Sequence, residues 1–404
     1  SSRSPIDSSS KRSSECAILI KRDVALTKLL FFLFGLGIMA WIPRFPELKS
    51  QLAVNNGLFG SMMSMGSFGS LIALLTIGHL VDHFGARKIM ILGITILCAD
   101  FLTIVHVTNH ELFIALNIGI GFGISTLHIA NNAQAFFDQD RGGKNLVVSA
   151  AGYWSAGALT TTVLSMFLIN RVSLKTHITV LYLIVWALTV IVINMRTETL
   201  VPANRHESVS RSIYQDLKKF NFDWMINFGL IFGIMLEFSI GDWSAIYTKE
   251  IGGFSQSLAP LPYMCFNIFM IIGRVSISRL RKRFAIASLV KYGGVIAGIS
   301  FIIGIWGVKY LGLIGLMVTF SLAGLGSSYI GPSFINIANS RIDLPASIVI
   351  GQISAVNATL AWILKQLVAL LAQVVGLQVA LTLPALMIIS VGVFARVFKQ
   401  TPAK

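Results

Sequence analysis

The chain has 404 residues, of which 55% are hydrophobic and only 12% charged, with a mean hydropathy of +0.76. A soluble domain of this length needs far more charge to cover its surface, and one globular core cannot hide so much apolar side chain. These numbers exclude an ordinary water-soluble protein and make the bilayer the natural solvent.

In chain order, residues 1–23 open on a serine-rich polar stretch and are expected to form a disordered cytoplasmic tail. The apolar run at 17–20 is too short for a secretory signal, so no cleavage is expected. Apolar runs then recur over 24–42, 56–80, 87–107, 112–135, 146–170, 176–195, 222–248, 257–280, 284–307, 310–337, 346–374 and 377–397. Each has about 20 residues or more, enough to cross ~30 Å of hydrocarbon at ~1.5 Å per residue. The expected fold is therefore all-α and membrane-integral: twelve spans in two six-helix bundles over 24–195 and 222–398, then a short tail at 399–404. Between the bundles, 196–221 is the one long polar stretch. Ile213, Leu217 and Phe220 recur there at helical spacing, which fits either an amphipathic helix on the inner membrane surface or a plain loop.

Charge supplies the orientation. With the N-terminus in the cytoplasm, most of the 32 Lys and Arg residues, Arg274 among them, fall in inner segments. Arg44, Lys49, Arg171, Lys175, Lys249 and Lys309 fall outside, and Lys291 and Lys365 lie at membrane depth. This positive-inside bias places both termini in the cytoplasm and makes the net charge of +15 a topology signal rather than a nucleic-acid footprint. Cys16, Cys98 and Cys265 are widely spaced with no CxxC, so neither a disulfide framework nor a metal site is expected, and no cofactor.

The chain also repeats itself. The stretch 78–93 aligns with 278–293, matching Leu80 to Leu280, Phe84 to Phe284 and Gly93 to Gly293, each at the turn from the second to the third span of its half. Two bundles related by an axis along the membrane normal place a binding site between them near the midplane.

The run Gly78-His79-Leu80-Val81-Asp82-His83-Phe84-Gly85-Ala86-Arg87-Lys88 resembles the signature loop of the major facilitator superfamily, departing where His83 replaces the usual basic residue. With the spans and the degenerate second copy, the resemblance covers about residues 24–398. It implies a monomeric secondary transporter in which this loop latches the halves in one access state. Physically, Gly78 would allow close packing and Gly85 the backbone turn. Asp82 can face the positive end of a neighbouring helix, while Arg87 and Lys88 can anchor the turn to the inner surface. Trp41-Ile42-Pro43-Arg44-Phe45-Pro46, Asn132-Ala133-Gln134-Ala135, and Glu237 followed by Asp242-Trp243-Ser244-Ala245 resemble a narrower branch. It holds the rhizopine-locus membrane protein of rhizobia and related bacterial inner-membrane permeases, with fucose permeases more distant. That resemblance implies sugar- or inositol-like solutes, although the branch often carries an acidic residue where this chain has His128.

Charged groups at membrane depth are costly unless paired or hydrated, so each is a functional candidate. Glu237 lies mid-span on a stripe with Gly233, Gly241 and Ser244, suited to proton coupling. Asp242 either joins it through unwinding at Gly241 or sits at the helix end near the outer surface, because an unbroken helix would point it elsewhere. Lys365, on a face with Ser354, Asn357 and Ala361, is expected to pair with Glu237 or Asp242, or else to snorkel outward. Asn117, Gly121, Ser125, His128 and Asn132 form a polar stripe with Asn131 beside it. His128 can titrate near neutrality, and the amides suit hydroxyl-rich solutes. Trp41, Tyr153, Trp154, Tyr263, Asn267 and Tyr329 are expected to border the cavity or pack beside it. Arg44 is expected to draw an anionic group, latch the outer gate or anchor the interface. Asp100 needs a partner that the sequence does not identify.

The expected function is proton-coupled uptake of a small polar solute across the inner membrane, not an enzymatic reaction. Efflux of an amphipathic compound, or sensing by a carrier fold that does not transport, is the alternative.

Overall fold

The computed structural model describes residues 5–141, 146–200, 223–341 and 346–399, and among these there is no strand. The helices are α1 (Pro5–Ile38), a 3-10 turn at Ile42–Arg44, α2 (Phe45–Leu52), α3 (Asn56–Phe84), α4 (Ala86–Ile104), α5 (His110–Asp140), α6 (Leu146–Leu168) and α7 (Leu174–Met195). They continue as α8 (Trp224–Glu250), α9 (Leu261–Leu280), α10 (Ile286–Ser327), α11 (Ile330–Arg341), α12 (Ala346–Val374), α13 (Leu377–Ala380) and α14 (Thr382–Phe394). Every expected span is helical, and eight helical stretches among the described residues are long and apolar enough to cross a bilayer. Side-chain caps fix several starts: Asn55, Asn109, Ser173 and Asp223 accept hydrogen bonds from the first free backbone N–H groups of α3, α5, α7 and α8.

Three boundaries differ from expectation. The first helix begins at Pro5, so the tail expected to be disordered over 1–23 is helical from that residue. Proline suits a first turn, and no Gly or Pro follows before Gly35. The ninth and tenth expected spans run together in α10, separated only by Gly312 at φ +63°, and the tenth then breaks at residues 328–329 before α11. The amphipathic helix weighed for 196–221 falls almost wholly outside the described residues.

In the first bundle α1 packs on α6, while α5 packs on both α3 and α4. In the second, α9 and α14 pack on α10, and α8 packs on α14 and α11. Helices approach at backbone distance where glycines meet: a Cβ on Gly121 would lie 1.8 Å from the Gly66 carbonyl oxygen, and one on Gly35 2.1 Å from that of Trp154. The aligned pair Gly93 and Gly293 play equivalent parts. Gly93 packs the third span on Thr126 and Leu127 of the fourth, and Gly293 packs the first limb of α10 on Gly326 and Tyr329.

A buried polar cluster holds one end of the first bundle together. Arg196 is fully buried and pairs with Asp138 at 2.5 Å; it also donates to Thr27 Oγ1 and to the Asp23 carbonyl. Asp23 accepts from the backbone N–H groups of Thr197 and Glu198 and pairs with Arg141 at 3.4 Å. Gln134 donates to Asp138 and accepts from the Leu200 N–H. Residues 196–200 are therefore bolted to α1 and α5, although the sequence reads them as the start of a solvated loop.

The bundles meet along α3 against α12 and α6 against α9. At the end that carries α2 they are in contact. Lys49 pairs with Glu250 at 2.5 Å, Gly57 abuts Gln373, and Gly60 lies under Trp243 and Ala369. At the opposite end, where α3 turns into α4 and α9 into α10, no hydrogen bond or ion pair joins the bundles among the described residues.

Candidate functional site

Between the bundles lies a cavity of about 820 Å³ with walls of different character. The first bundle contributes Ile38, Ile42, Met63, Ile120 and Ile124, relieved by Ser67, Ser70 and Asn117. The second contributes four charges: Glu237 and Asp242 from α8, Arg274 from α9 and Lys365 from α12. A smaller chamber of about 280 Å³, reaching Trp154, Tyr263 and Asn267, shares Ile42, Glu237, Phe238, Asp242 and Arg274 with the first.

The four charges form two pairs. Lys365 Nζ lies 2.9 Å from Asp242 Oδ2 and 5.1 Å from the centre of the Phe238 ring. Arg274 Nη2 lies 3.5 Å from Glu237 Oε2, while its Nε donates to the Ser328 carbonyl at 3.1 Å. The longer separation and the one-third exposure of Glu237 leave its carboxylate the less tightly held of the two acids. Lys365 thus takes the second of its two expected partners. The α8 helix is unbroken through Gly241, so the unwinding weighed for that glycine is absent. Asp242 still reaches the cavity, because it continues the row Leu230, Ile234 and Phe238 along the face of α8 that lines it.

Arg274 is the residue the sequence misplaced, as an inner-loop charge. Tyr263, Asn267, Met270 and Arg274 lie at helical spacing on one stripe of α9 facing the smaller chamber, and that periodicity could have placed the arginine inside.

Other candidates divide. Trp41 lines the cavity, edge-on to Phe45 and Phe101. Asn117 lines it too, but its amide nitrogen donates to the carbonyls of Met62 and Met63. Asn357 lines it and donates to Asn227 Oδ1 at 3.3 Å. Asn267 donates to the Tyr263 carbonyl, and the Tyr263 hydroxyl donates to Met39 Sδ across the bundles.

His128, Asn131, Asn132 and Tyr329 do not line either chamber. His128 lies a turn beyond Ile124, exposed and stacked near Phe34. Asn131 is buried, its Oδ1 without a partner, and Asn132 donates to the His128 carbonyl of its own helix. Tyr329 is spent on structure, donating to the Leu289 carbonyl. Of the α5 stripe, Asn117 and Gly121 border the larger cavity.

Tyr153 is exposed beneath Lys28, and Lys291 lies over Tyr292. Asp100 is pressed against Gly119, its Oδ2 buried without a partner.

In the loop at 78–88, Gly85 takes φ +81°, as its role requires. Gly78 meets nothing within 4 Å of an added Cβ, so close packing is not its function; Gly66, Gly69 and Gly121 do that work between α3 and α5. Asp82 is exposed, with no hydrogen-bond or ion-pair partner among the described residues. Arg87 turns inward to donate to the Arg196 carbonyl rather than anchoring to the surface, and Lys88 is exposed.

Two bundles with this pairing and an intervening cavity have counterparts. Residues 29–365 match the sequence model of the Major Facilitator Superfamily. The chain belongs to that family. It is 25% identical over 379 residues to an uncharacterized MFS-type transporter of Yersinia pestis, covering 92% of this chain and 94% of that one. It is 22% identical over 371 residues to the membrane protein MosC of Rhizobium meliloti, covering 90% and 86%. The fold is similar to that of the nucleoside transporter NupG, with a TM-score of 0.71 at 12% identity over 95% of this chain and 99% of that one. The protein is therefore an integral membrane transporter of this superfamily, a family of carriers rather than of enzymes.

One expectation follows for the second charge pair. Lys365→Met leaves Asp242 uncompensated and should reduce membrane expression several-fold; adding Asp242→Asn should restore much of the loss. Quantitative blotting of the single and double variants checks this, and a double variant no better than the single would argue against the contact.

Proposed function

We propose that the protein is a secondary carrier that moves a small, hydroxyl-bearing solute, sugar- or inositol-like, across the inner membrane by alternating access, coupled to protons. The carrying observation is the net-neutral set Glu237, Arg274, Asp242 and Lys365 on one wall of a cavity between two bundles in contact at one end. Charged side chains and amides can both donate to and accept from hydroxyls, and the opposite apolar wall suits a ring face. NupG is by name a nucleoside transporter, and the hydroxyl groups of a nucleoside agree with that chemistry.

The positive-inside bias makes the open end cytoplasmic and the contacts at Lys49, Gly57 and Gly60 the closed outer gate. In this state the exposed Asp82 is a latch released. Glu237 is the coupling group: proton uptake frees Arg274 for the solute, and proton release restores the pair.

A thermal-shift screen against sugars, inositols and nucleosides should find a ligand, and that ligand should show counterflow in proteoliposomes. Binding without exchange would indicate a sensor instead. One observation favours a second reading, efflux of an amphipathic compound: the large apolar residues of the first-bundle wall, Trp41 and Phe45 among them. Stabilisation by apolar cations and by no polyol would select it.

A further inference from the structure

A carbonyl deprived of its helical partner lies behind the cavity wall. Pro332 lines the cavity and stands in the first turn of α11, four residues beyond Ser328. In a continuous helix the Ser328 carbonyl would accept from the N–H of residue 332; proline has none, and its ring crowds the carbonyl one turn back. The chain accordingly leaves the helix at residues 328–329. Ser328 is 1% exposed, and among the described residues no backbone N–H donates to its carbonyl. At membrane depth such a group must find another donor. Arg274 supplies it, its Nε donating at 3.1 Å. Gly273 makes the reach possible, because a Cβ there would collide with the Ser328 side chain and hold α9 away. The same guanidinium meets Glu237 through Nη2, at 3.5 Å. Arg274 thus has a short neutral anchor at Nε and a longer ionic contact at Nη2.

We propose that Pro332 positions Arg274 for the solute: the carbonyl it orphans holds the guanidinium at the cavity wall independently of Glu237. The inference rests on the reading of Glu237 as the coupling group and deepens it. Were the carboxylate the sole anchor, a proton arriving there would release the whole arginine side chain. With Nε pinned to Ser328, protonation of Glu237 frees the Nη groups alone. They stay in the cavity, which Arg274 lines, and are offered to the hydroxyls of the solute in a fixed plane. The proline break, remote from the chemistry in sequence, is in this way the support of the one cavity cation that the proton sets free.

Proton–nitrogen NMR of the purified, isotope-labelled full chain in detergent micelles, with no solute added, tests the anchor. Arg274→Lys assigns the Arg274 Nε–H signal by its loss. In the wild type that proton should exchange slowly with water, and in Glu237→Gln it should exchange as slowly. Pro332→Ala gives residue 332 an N–H that competes for the Ser328 carbonyl, and should speed the exchange about tenfold. Alanine is the better helix former, so this variant should fold. A wild-type signal lost to rapid exchange, protection that disappears in Glu237→Gln, or protection unchanged in Pro332→Ala would each overturn the inference. No solute or proton gradient enters this measurement, so those outcomes strike the anchor alone. Failure of the carrier reading would instead show as a protected Nε–H, dependent on Pro332, in a chain that exchanges no solute.

Discussion

Glu237→Gln is expected to abolish proton-driven accumulation while leaving exchange of solute across a preloaded vesicle near wild type. Gln keeps the shape and hydrogen-bonding reach of Glu but can neither release a proton nor hold Arg274 by charge. Accumulation against a gradient needs a proton to move with each solute, whereas exchange needs only that the loaded carrier reorient. Removing the titrating group should therefore separate the two activities. Unchanged accumulation would eliminate Glu237 as the coupling group, and equal loss of both activities would make it a solute-binding residue only.

Arg196→Met should destabilise the protein more than either single change at the cavity charges. It leaves Asp138, 1% exposed, with a buried charge supported only by Thr27, Gln134 and a 4.0 Å approach from Arg141. Breaking a buried pair from one side costs about 3–5 kcal/mol, mostly the penalty of the abandoned charge. Asp138→Asn in the same chain should recover a substantial part. The variants can be compared by denaturant unfolding in detergent; a loss below about 1 kcal/mol for Arg196→Met would mean that water or another cation reaches Asp138.

The sequence made the fold legible because its dominant signal, runs of apolar residues of bilayer length, is read one segment at a time. The charges inside those runs were harder. Glu237 and Lys365 stood out as charges in the middle of long apolar runs. Arg274 did not, being close to the basic cluster at 279–283, and Arg196 and Asp138 were hidden at helix ends where charge is ordinary. Their burial arises from three segments distant in sequence, α1, α5 and residues 196–200, which periodicity within one helix cannot reveal. Spacing held a partial clue: Gln134, Asp138 and Arg141 share one face of α5. On α5 the polar stripe was legible as a common face, and of its members Asn117 and Gly121 border the larger cavity.

Alternating access requires that the two bundles reorient as units about the cavity. The most direct test places spin labels at Thr108 and Lys309 on the closed end and at His83 and Lys282 on the open end, in a chain whose three native cysteines are replaced. Distances are then compared with and without Gly60→Trp. A Cβ at Gly60 would already lie 2.4 Å from the Trp243 ring, so an indole there must wedge that end apart. Rocking of rigid bundles predicts that the Thr108–Lys309 distance lengthens while the His83–Lys282 distance shortens. A wedge that opens the first end and leaves the second unmoved would contradict it.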